Sequence, residues 1–194
     1  MRERERDKYP LITKKKADYL LFKEIIGIIA DGGHLTKEGL EKIVSIKASM
    51  NKGLSEKLKI QFPSITPVIR PEISISPLME YNDFPNWLVG FIEAEGCFLC
   101  LVRKNVKHLI GYQVTLSFSL YQHIRDLDLM LKIKDYLGFG IITQNSSVVR
   151  LTKKSDIDAL ISFFKNHMLL GSKGLDLEDF IRIQEIINNN LHKT

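Results

Sequence analysis

The sequence has little that would place it in a membrane or in an oxidising compartment. No apolar run approaches the roughly 18 to 20 residues that a bilayer-spanning helix needs, so a soluble chain without a membrane partner is expected. Only two of the 194 residues are cysteines. Cys97 and Cys100 fall in a predicted strand, and no second pair with zinc-ligand spacing accompanies them. We therefore expect buried, reduced thiols in a reducing compartment.

The sequence also lacks the patterns of a targeting peptide and of several common catalytic and metal sites. Residues 1–8 alternate arginine with acidic residues, which is typical of neither a secretory signal nor an import peptide, so no targeting segment is expected. The five histidines are scattered without metal-ligand spacing, no Ser/His/Asp arrangement is recognisable, and Gly138 with Gly140 is too little for a phosphate-binding loop. The 44% of apolar and 26% of charged residues exclude a wholly disordered or fibrous chain.

Proline is concentrated in one stretch, which divides the chain. Five of the six prolines lie between residues 63 and 85, and each fixes φ and removes a backbone donor. Residues 57–86 are therefore predicted to be a linker. Before it, apolar residues recur at helical spacing on both sides of Gly32 and Gly33, so residues 1–56 are predicted to be a helical segment too small for an independent domain.

Residues 87–194 are predicted to form the main domain. A short helix is expected over Trp87–Glu95, capped by Asn86 and ended by a left-handed Gly96. The remaining patterns predict strands at 98–103, 112–120, 141–143 and 148–153, and helices at 126–137, 156–164 and 175–187. This order predicts an α+β fold in which helices cover one face of an antiparallel sheet. The other face is left to a ligand.

Basic and acidic residues are separated between the predicted strands and the predicted helices. Even positions from Tyr112 to Leu120 are apolar and the odd positions between them are polar, so only one face of this strand is expected to be buried. Residues 97–122 and 139–154 contain basic residues and no acid, whereas carboxylates collect on the predicted helices. This segregation favours a polyanion bound on the sheet. A merely solvated sheet face is the alternative.

Two segments of the chain repeat each other at a constant offset. Eight residues from Leu11 to His34 recur, without a gap, from Leu169 to His192. The residues that recur are Leu11, Lys15, Asp18, Phe22, Ile25, Ile28, Ile29 and His34. Chance similarity between two amphipathic helices is the alternative, against which the polar matches argue. The first segment is thus interpreted as the tail of a domain whose head is absent.

Two residues of the predicted helix before Gly96 are unfavourable for helix stability. Gly90 inside a helix costs about 1 kcal/mol relative to alanine, and with Ala94 it forms a smooth strip on which another helix could pack closely. Glu95 lies at the carboxyl end, where the helix dipole disfavours a negative charge. A divalent metal ion would satisfy this carboxylate, holding Mg²⁺ against a phosphate beside the basic sheet. An exposed glutamate without a partner is the alternative.

Residues Leu88–Gly96, followed by Cys97 and Phe98, resemble the signature of the LAGLIDADG homing endonucleases of the fungal organellar, intron-encoded type. Further matching segments are Gly111–Gln113, Gln122–Asp126, Leu137–Gly138 and Thr152–Lys153. The resemblance implies an αββαββα domain with a saddle-shaped antiparallel sheet at 87–194, the second of a two-motif enzyme. It also implies that 1–56 is the tail of a first LAGLIDADG domain and 57–86 the interdomain linker.

The resemblance further implies a site-specific DNA endonuclease, of mitochondrial origin, that hydrolyses phosphodiester bonds with Mg²⁺. It makes Glu95 the metal ligand and Lys153 a second catalytic residue, leaves Glu93 as a structural acid, and assigns helix pairing to Gly90 and Ala94. The residues implied to contact DNA are Cys97, Leu99, Leu101, Arg103, Lys104, Gln113, Thr115, Ser117, Ser119, Thr143, Asn145, Val148, Arg150 and Thr152. Ser119 departs from the family, where many members carry a glutamine.

Cleavage of both strands of a duplex requires two motif helices, and this sequence contains one. The chain is therefore interpreted as a fragment, a split partner or a decayed copy of a two-motif enzyme, unless two copies pair through Gly90 and Ala94. Its expected partners are double-stranded DNA and a second LAGLIDADG half, either another copy or a separate first domain. Two other functions stay open: an intron RNA-binding splicing cofactor, or maturase, and a DNA-binding fragment without catalysis.

Overall fold

A computed structural model describes residues 11–74, 83–143 and 147–189. The chain divides into two units, one within residues 1–76 and the other within residues 77–194. None of the helices within the described ranges is both long and apolar enough to cross a bilayer. Asn145 lies outside the described residues.

Residues 11–74, the described part of the first unit, form three helices and an extended segment. Helix α1 spans Lys15–Ala30, a 3₁₀ turn follows at Gly33–Leu35, α2 spans Lys37–Ala48 and α3 spans Glu56–Gln61. The Thr36 hydroxyl accepts a hydrogen bond from the Gly39 amide and so caps α2. The core of the unit is formed where α1 and α2 meet, by Leu21, Ile25, Ile46 and Met50.

Part of the proline-rich stretch is held against these helices. The Val68 amide donates to the Ser45 carbonyl at 3.3 Å, and the Ser49 hydroxyl donates to the Val68 carbonyl. Arg70 then donates to Asp18 at 2.7 Å and to the Ser49 carbonyl at 2.8 Å. Both hydrogen bonds are charge-assisted and therefore stabilise the packing of this segment on the helices. Residues 66–70 are therefore part of the first unit. All of α3 except Glu56 also lies within the stretch predicted as a linker.

The second unit is an α+β domain, which confirms the predicted fold class. Its elements are α4 (Phe84–Glu95), β1 (Gly96–Lys104), β2 (Tyr112–Tyr121), a 3₁₀ turn (Ile124–Asp126), α5 (Leu127–Leu137), β3 (Ile141–Thr143), β4 (Val148–Leu151), α6 (Lys154–Asn166) and α7 (Lys173–Asn188). The four strands form one sheet in the order β1-β2-β4-β3, and every neighbouring pair is antiparallel.

An aromatic cluster packs the helices on one face of this sheet. The ring of Phe98 lies 5.0 Å from that of Phe118 on the neighbouring strand, and 5.2 Å and 6.0 Å from those of Phe180 on α7 and Phe164 on α6. These centroid distances are typical of aromatic pairs in cores. The even positions of β1 and β2 therefore face the helices, as the period of two predicted for β2.

Helix α4 differs from its prediction at both ends. It begins at Phe84, with Pro85 in the first turn, so Asn86 is not its cap and instead donates to the Asp83 carboxylate. Gly96 is extended, with φ −76° and ψ 149°, and not left-handed. A glycine fits there because a Cβ atom would lie 2.7 Å from the Ile92 carbonyl oxygen.

Two predictions about burial are wrong. Ser117 and Ser119 are each only 6% exposed, so both faces of β2 are buried over this part. These small side chains lie on the central strand between larger neighbours, with Leu99 opposite Ser117 and Arg150 opposite Ser119. Cys97 is exposed and Cys100 is only partly buried, because Cys97 lies on the face that the helices leave open. Partial burial raises the pKa of the Cys100 thiol.

Candidate active site and nucleic-acid interface

The predicted metal ligand lies where α4 turns directly into β1. Glu95 is the last residue of the helix and Gly96 the first of the strand, so no loop separates them. The Glu95 side chain is exposed, and no hydrogen bond or ion pair involves it among the residues that the structure describes. A carboxylate at a helix carboxyl terminus repels the local dipole. This position therefore favours binding of a cation.

The neighbouring acid, Glu93, has a different environment. Its Oε1 accepts a hydrogen bond from the Gly171 amide at 2.7 Å, which ties α4 to the connection between α6 and α7. A Cβ atom at residue 171 would lie 2.7 Å from Oε2 of the same carboxylate, so the close approach depends on a glycine. Glu93 is thus engaged in the fold, whereas Glu95 is available to a ligand.

The strand register aligns one row of site residues beside Glu95. Cys97 is opposite Ser119, Ser119 is opposite Arg150, and Arg150 is opposite Ile141. Directly opposite residues share a face of the sheet, and neighbouring strands lie about 4.8 Å apart, which places the Arg150 backbone about 10 Å from that of Cys97. The Arg150 guanidinium is exposed and lies 3.5 Å from the Tyr121 hydroxyl oxygen. A positive group is therefore presented on the face of the sheet that begins at Glu95.

Three further rows continue this open face toward the tip of the first hairpin. They pair Leu99 with Ser117, Leu101 with Thr115, and Arg103 with Gln113. Arg103 and Gln113 are exposed, and the Gln113 Oε1 accepts a hydrogen bond from the Asn105 side-chain amide at 3.0 Å. The face thus offers a cation and an amide at its outer end, where side chains can reach phosphates and base edges.

Not every predicted contact residue is both on this face and accessible. Lys104 pairs with Tyr112, so it has the parity of the helix-covered face, although it is exposed beyond the helices. Val148 is buried and is therefore not accessible to a ligand at the surface. Thr143 pairs with Val148 through the backbone, and Thr152 is exposed just after β4.

The sequence reasoning missed two exposed side chains on the open face. Tyr121 continues the odd positions of β2, and Ile141 lies opposite Arg150; both are exposed. The alternation that identified Gln113 and Ser119 extends to Tyr121, and Ile141 lies two residues before Thr143. Both could have been found by continuing the period of two to the ends of the strands.

Lys153 lies at the start of α6, next to a network that fixes this helix end. It is the exposed N-cap residue, and its side chain makes no capping hydrogen bond. One turn later Asp158 accepts from Lys154 at 2.8 Å and from Gln184 of α7 at 2.6 Å. The hydrogen bond from Lys154 lowers the pKa of Asp158, with a further contribution from Gln184. The backbone that carries Lys153 is thereby anchored to α7.

The strip predicted for helix pairing is open. Gly90 and Ala94 are exposed on α4, and a Cβ atom at residue 90 would have no neighbour within 4 Å. Beside the strip, the rings of Trp87 and Phe91 stack at 4.9 Å. The helix therefore presents a smooth surface, flanked by aromatic side chains, to which another helix could pack closely.

Glu95 supplies a hard oxygen donor of the type that divalent cations prefer. No group of three or more histidine, cysteine or acidic side chains within the described residues could enclose a metal ion. Mg²⁺ is commonly held by one or two carboxylates together with waters and substrate phosphates. A single exposed carboxylate beside a face that carries exposed arginines fits this mode of binding.

Comparison with known proteins identifies the domain. Residues 88–184 match the family model described as LAGLIDADG endonuclease. The "Probable intron-encoded endonuclease 3" of Neurospora crassa is 40% identical over 194 residues, which cover 97% of this chain and 36% of that protein. The crystal structure of the I-SmaMI LAGLIDADG homing endonuclease bound to cleaved DNA superposes with a TM-score of 0.90 at 42% identity. I-SmaMI bound to an uncleaved DNA target in the presence of calcium ions superposes with a TM-score of 0.88.

The chain spans only part of these relatives. It covers 36% of the N. crassa protein and 63% of the I-SmaMI chain bound to cleaved DNA. More than a third of that I-SmaMI chain therefore lies outside the match. The match to the family model and the structural superposition nevertheless both include the same domain, which consists of the sheet and the motif helix before it. The chain belongs to the LAGLIDADG endonuclease family.

Proposed function

We propose that this chain is one half of a site-specific DNA endonuclease of the intron-homing type. The observation that carries the proposal is the exposed Glu95 carboxylate at the end of α4, directly beside the open, basic face of the sheet. In this proposal residues 87–194 are the second LAGLIDADG domain, 57–86 the interdomain linker and 1–56 the tail of a first domain. The relatives named as intron-encoded endonucleases support it.

The proposed substrate is double-stranded DNA lying along the open face of β1, β2 and β4. Arg103 and Arg150 would neutralise phosphates, and the release of condensed counterions would supply much of the affinity. Gln113 and Thr115 would reach base edges in the groove, where amides and hydroxyls discriminate between base pairs. The serines on β2 are buried between larger neighbours, so they would shape the surface more than they would contact bases.

Glu95 would hold Mg²⁺ at the scissile phosphate. When bound there, the ion polarises the phosphate and lowers the pKa of a coordinated water. Lys153 would place its ammonium group near the charge that develops on the phosphate, where a fixed cation is most effective. The network around Asp158 would hold the start of α6 in position while DNA binds.

The chain would act with a second motif helix. One α4 delivers one Glu95 carboxylate, whereas hydrolysis of both strands of a duplex needs a carboxylate near each scissile phosphate. Gly90 and Ala94 would allow a second motif helix to approach, and the partner would be another copy or a separate first domain. The relatives named as intron-encoded endonucleases also support an intron as the origin of the gene, and the organelle proposed for it is the mitochondrion.

The proposal is tested with the purified chain, alone and mixed with a separately produced first half, on duplex DNA carrying candidate intron insertion sites. We expect Mg²⁺-dependent cleavage that Glu95→Gln abolishes while DNA binding persists. The matched control is Glu178→Gln, an identical change at an exposed position on α7, which should leave cleavage intact.

Two outcomes would replace the proposal. DNA binding without cleavage under every combination would identify a DNA-binding fragment. Splicing of an intron RNA that survives Glu95→Gln, but is lost with the basic residues of the sheet, would identify a splicing cofactor.

A further inference from the structure

Two leucines interrupt the polar side chains on the open face of the sheet. Leu99 and Leu101 lie at odd positions of β1, on the face opposite Phe98, whose ring packs against α7. Leu99 is 43% exposed and Leu101 is partly buried. Both side chains therefore belong to the surface that a ligand of the sheet would contact. We call these two residues the leucine pair.

The neighbouring strand leaves the leucine pair raised above the surface around it. Leu99 is opposite Ser117 and Leu101 is opposite Thr115. Ser117 is only 6% exposed and Thr115 is partly buried. Because leucine is the longer side chain of each two, a ligand that lies on this part of the sheet contacts leucine methyl groups before it reaches a hydroxyl.

Exposed arginines lie at both ends of the leucine pair. Arg103 lies on β1 two residues beyond the pair, and Arg150 lies on β4 in the row of Cys97, at the other end of the pair. Residues 97–122 contain no acid. This charge is complementary to a polyanion, whose phosphates the arginines would contact while the leucines lie against its bases. The occupant that fits is therefore a nucleic acid and not an apolar protein surface.

The chemistry of leucine selects one group on a base pair. Every base pair presents hydrogen-bonding atoms in the major groove, and the C5-methyl group of thymine is the apolar group among them. Leucine neither donates nor accepts hydrogen bonds through its side chain, so covering a guanine or cytosine edge would leave polar atoms without partners, at a cost in free energy. Contact with a thymine methyl group instead removes apolar surface of both molecules from water. RNA carries uracil, which lacks this methyl group, and its major groove is too deep and narrow for side chains to read.

We propose that Leu99 and Leu101 are specificity-determining residues that read thymine methyl groups in the major groove of the target DNA. The inference rests on the proposed function, since it needs DNA on the open face, and it adds a chemical feature of the substrate. Alternate residues of a strand lie about 6.7 Å apart, which is about twice the spacing of roughly 3.4 Å between successive bases of one DNA strand. The two thymines should therefore lie about two base pairs apart, between the phosphate at Glu95 and the base pair at Arg103.

The experiment uses the full chain without metal, so that binding is measured and cleavage does not occur. Duplexes that the chain selects from a random library are amplified with partial replacement of thymine by uracil, which removes only the C5-methyl group. Bound and free duplexes are separated, and uracil positions are mapped with uracil-DNA glycosylase. We expect uracil to be depleted from the bound fraction at two thymine positions, with an affinity loss of about fourfold for each methyl group.

Variants of the leucine pair assign each thymine to its residue. Leu99→Ala should abolish the effect of uracil at one position and leave the other, and Leu101→Ala should do the reverse. The matched control is Leu175→Ala, the same change at a leucine that is 65% exposed on α7, which should keep the effect at both positions. Circular dichroism should show that all three variants are folded.

Three results would overturn the inference. They are tolerance of uracil at every thymine of the selected duplexes, an effect of uracil that persists at both positions in both leucine variants, and failure to enrich any sequence even with the separately produced first half added. An RNA duplex of the same sequence that binds as tightly as the DNA would overturn it as well.

The proposed function fails by a different measurement. Dependence on thymine methyl groups without cleavage, in the cleavage experiment with Mg²⁺, would contradict the proposed nuclease alone. Cleavage that requires Glu95, at sites where uracil replaces every thymine without effect, would contradict this inference alone.

Discussion

Two glutamates separated by one residue have opposite environments at the end of α4. Glu93 accepts a hydrogen bond from the Gly171 amide, whereas Glu95 is exposed at the carboxyl terminus of the helix. The first contact is formed on folding and adds to stability. The Glu95 carboxylate places a negative charge where the helix dipole disfavours it. Such a charge is expected of a residue whose role is to bind a ligand.

Replacing each glutamate by alanine should separate these contributions. Glu93→Ala is expected to lower the free energy of unfolding by about 1 kcal/mol, because the Gly171 amide loses a charged acceptor. Glu95→Ala should leave stability unchanged or raise it by a few tenths of a kcal/mol. Urea unfolding of the two variants measures both values, and equal losses would show that Glu95 also has a structural partner.

The Asp158 carboxylate on α6 makes the stability of the fold depend on pH. Its hydrogen bond from Lys154 lowers its pKa in the folded state, so its contribution to stability is present above its unfolded pKa of about 3.9 and is lost as the pH falls through the lower folded value. The side chain is 43% exposed, so solvent screens the effect to less than about 1 kcal/mol. Asp158→Asn should therefore lower stability at pH 7, and the difference from wild type should shrink below pH 4 in chemical unfolding measurements.

At the scale of elements, α4 and its junction with β1 contain two glycines with different reasons for being glycine. At Gly96 a Cβ atom would clash with the Ile92 carbonyl oxygen at 2.7 Å and with the Ile92 side chain at 2.8 Å. At Gly90 a Cβ atom would meet nothing within 4 Å. The fold therefore requires the first glycine. The described residues do not require the second, and the proposed approach of another helix would.

Alanine at each position should give opposite results. Gly96→Ala is expected to destabilise the chain by about 1 to 3 kcal/mol, as overpacking does, whereas Gly90→Ala should stabilise it by up to about 1 kcal/mol through helix propensity. A larger residue, Gly90→Leu, should keep the chain folded and abolish assembly with a second motif helix. Thermal unfolding and sedimentation velocity test these outcomes, and an assembled Gly90→Leu chain would contradict pairing through this strip.

The sequence predicted the elements better than their ends and contacts. The period of two along β2 predicted correctly which positions face the helices, because alternation is a local property of strands. It could not predict that Ser117 and Ser119 are buried, since their burial depends on larger neighbours across two strands. The same limit applies to the Glu93 contact with Gly171, which joins residues far apart in the sequence, whereas the position of Glu95 followed from the motif alone.

At the scale of the whole molecule, the sign of the charge differs between the two sides of the second unit. The formal net charge of +5 for the whole chain is modest, but Arg103 and Arg150 lie exposed on the open face of the sheet. Asp156, Asp176 and Asp179 lie on the helices, and the last two pair with Lys173 and Arg182. The charge distribution, more than the net charge, therefore favours the open face of the sheet as the side on which the proposed DNA would lie.

This placement of the DNA predicts which arginines set the salt dependence of DNA binding. Non-specific binding to a duplex is dominated by phosphate contacts, and each contact contributes about 1 to the slope of log affinity against log salt. Arg103→Ala and Arg150→Ala should therefore each reduce the slope by about 1, measured by fluorescence anisotropy with a generic duplex over a range of KCl concentrations. Arg182→Ala is the matched control, because Arg182 is also exposed, on α7, and pairs with Asp179 at 3.2 Å. A slope that falls with Arg182→Ala, and not with the other two, would place the DNA on the helical side and remove Glu95 from its reach.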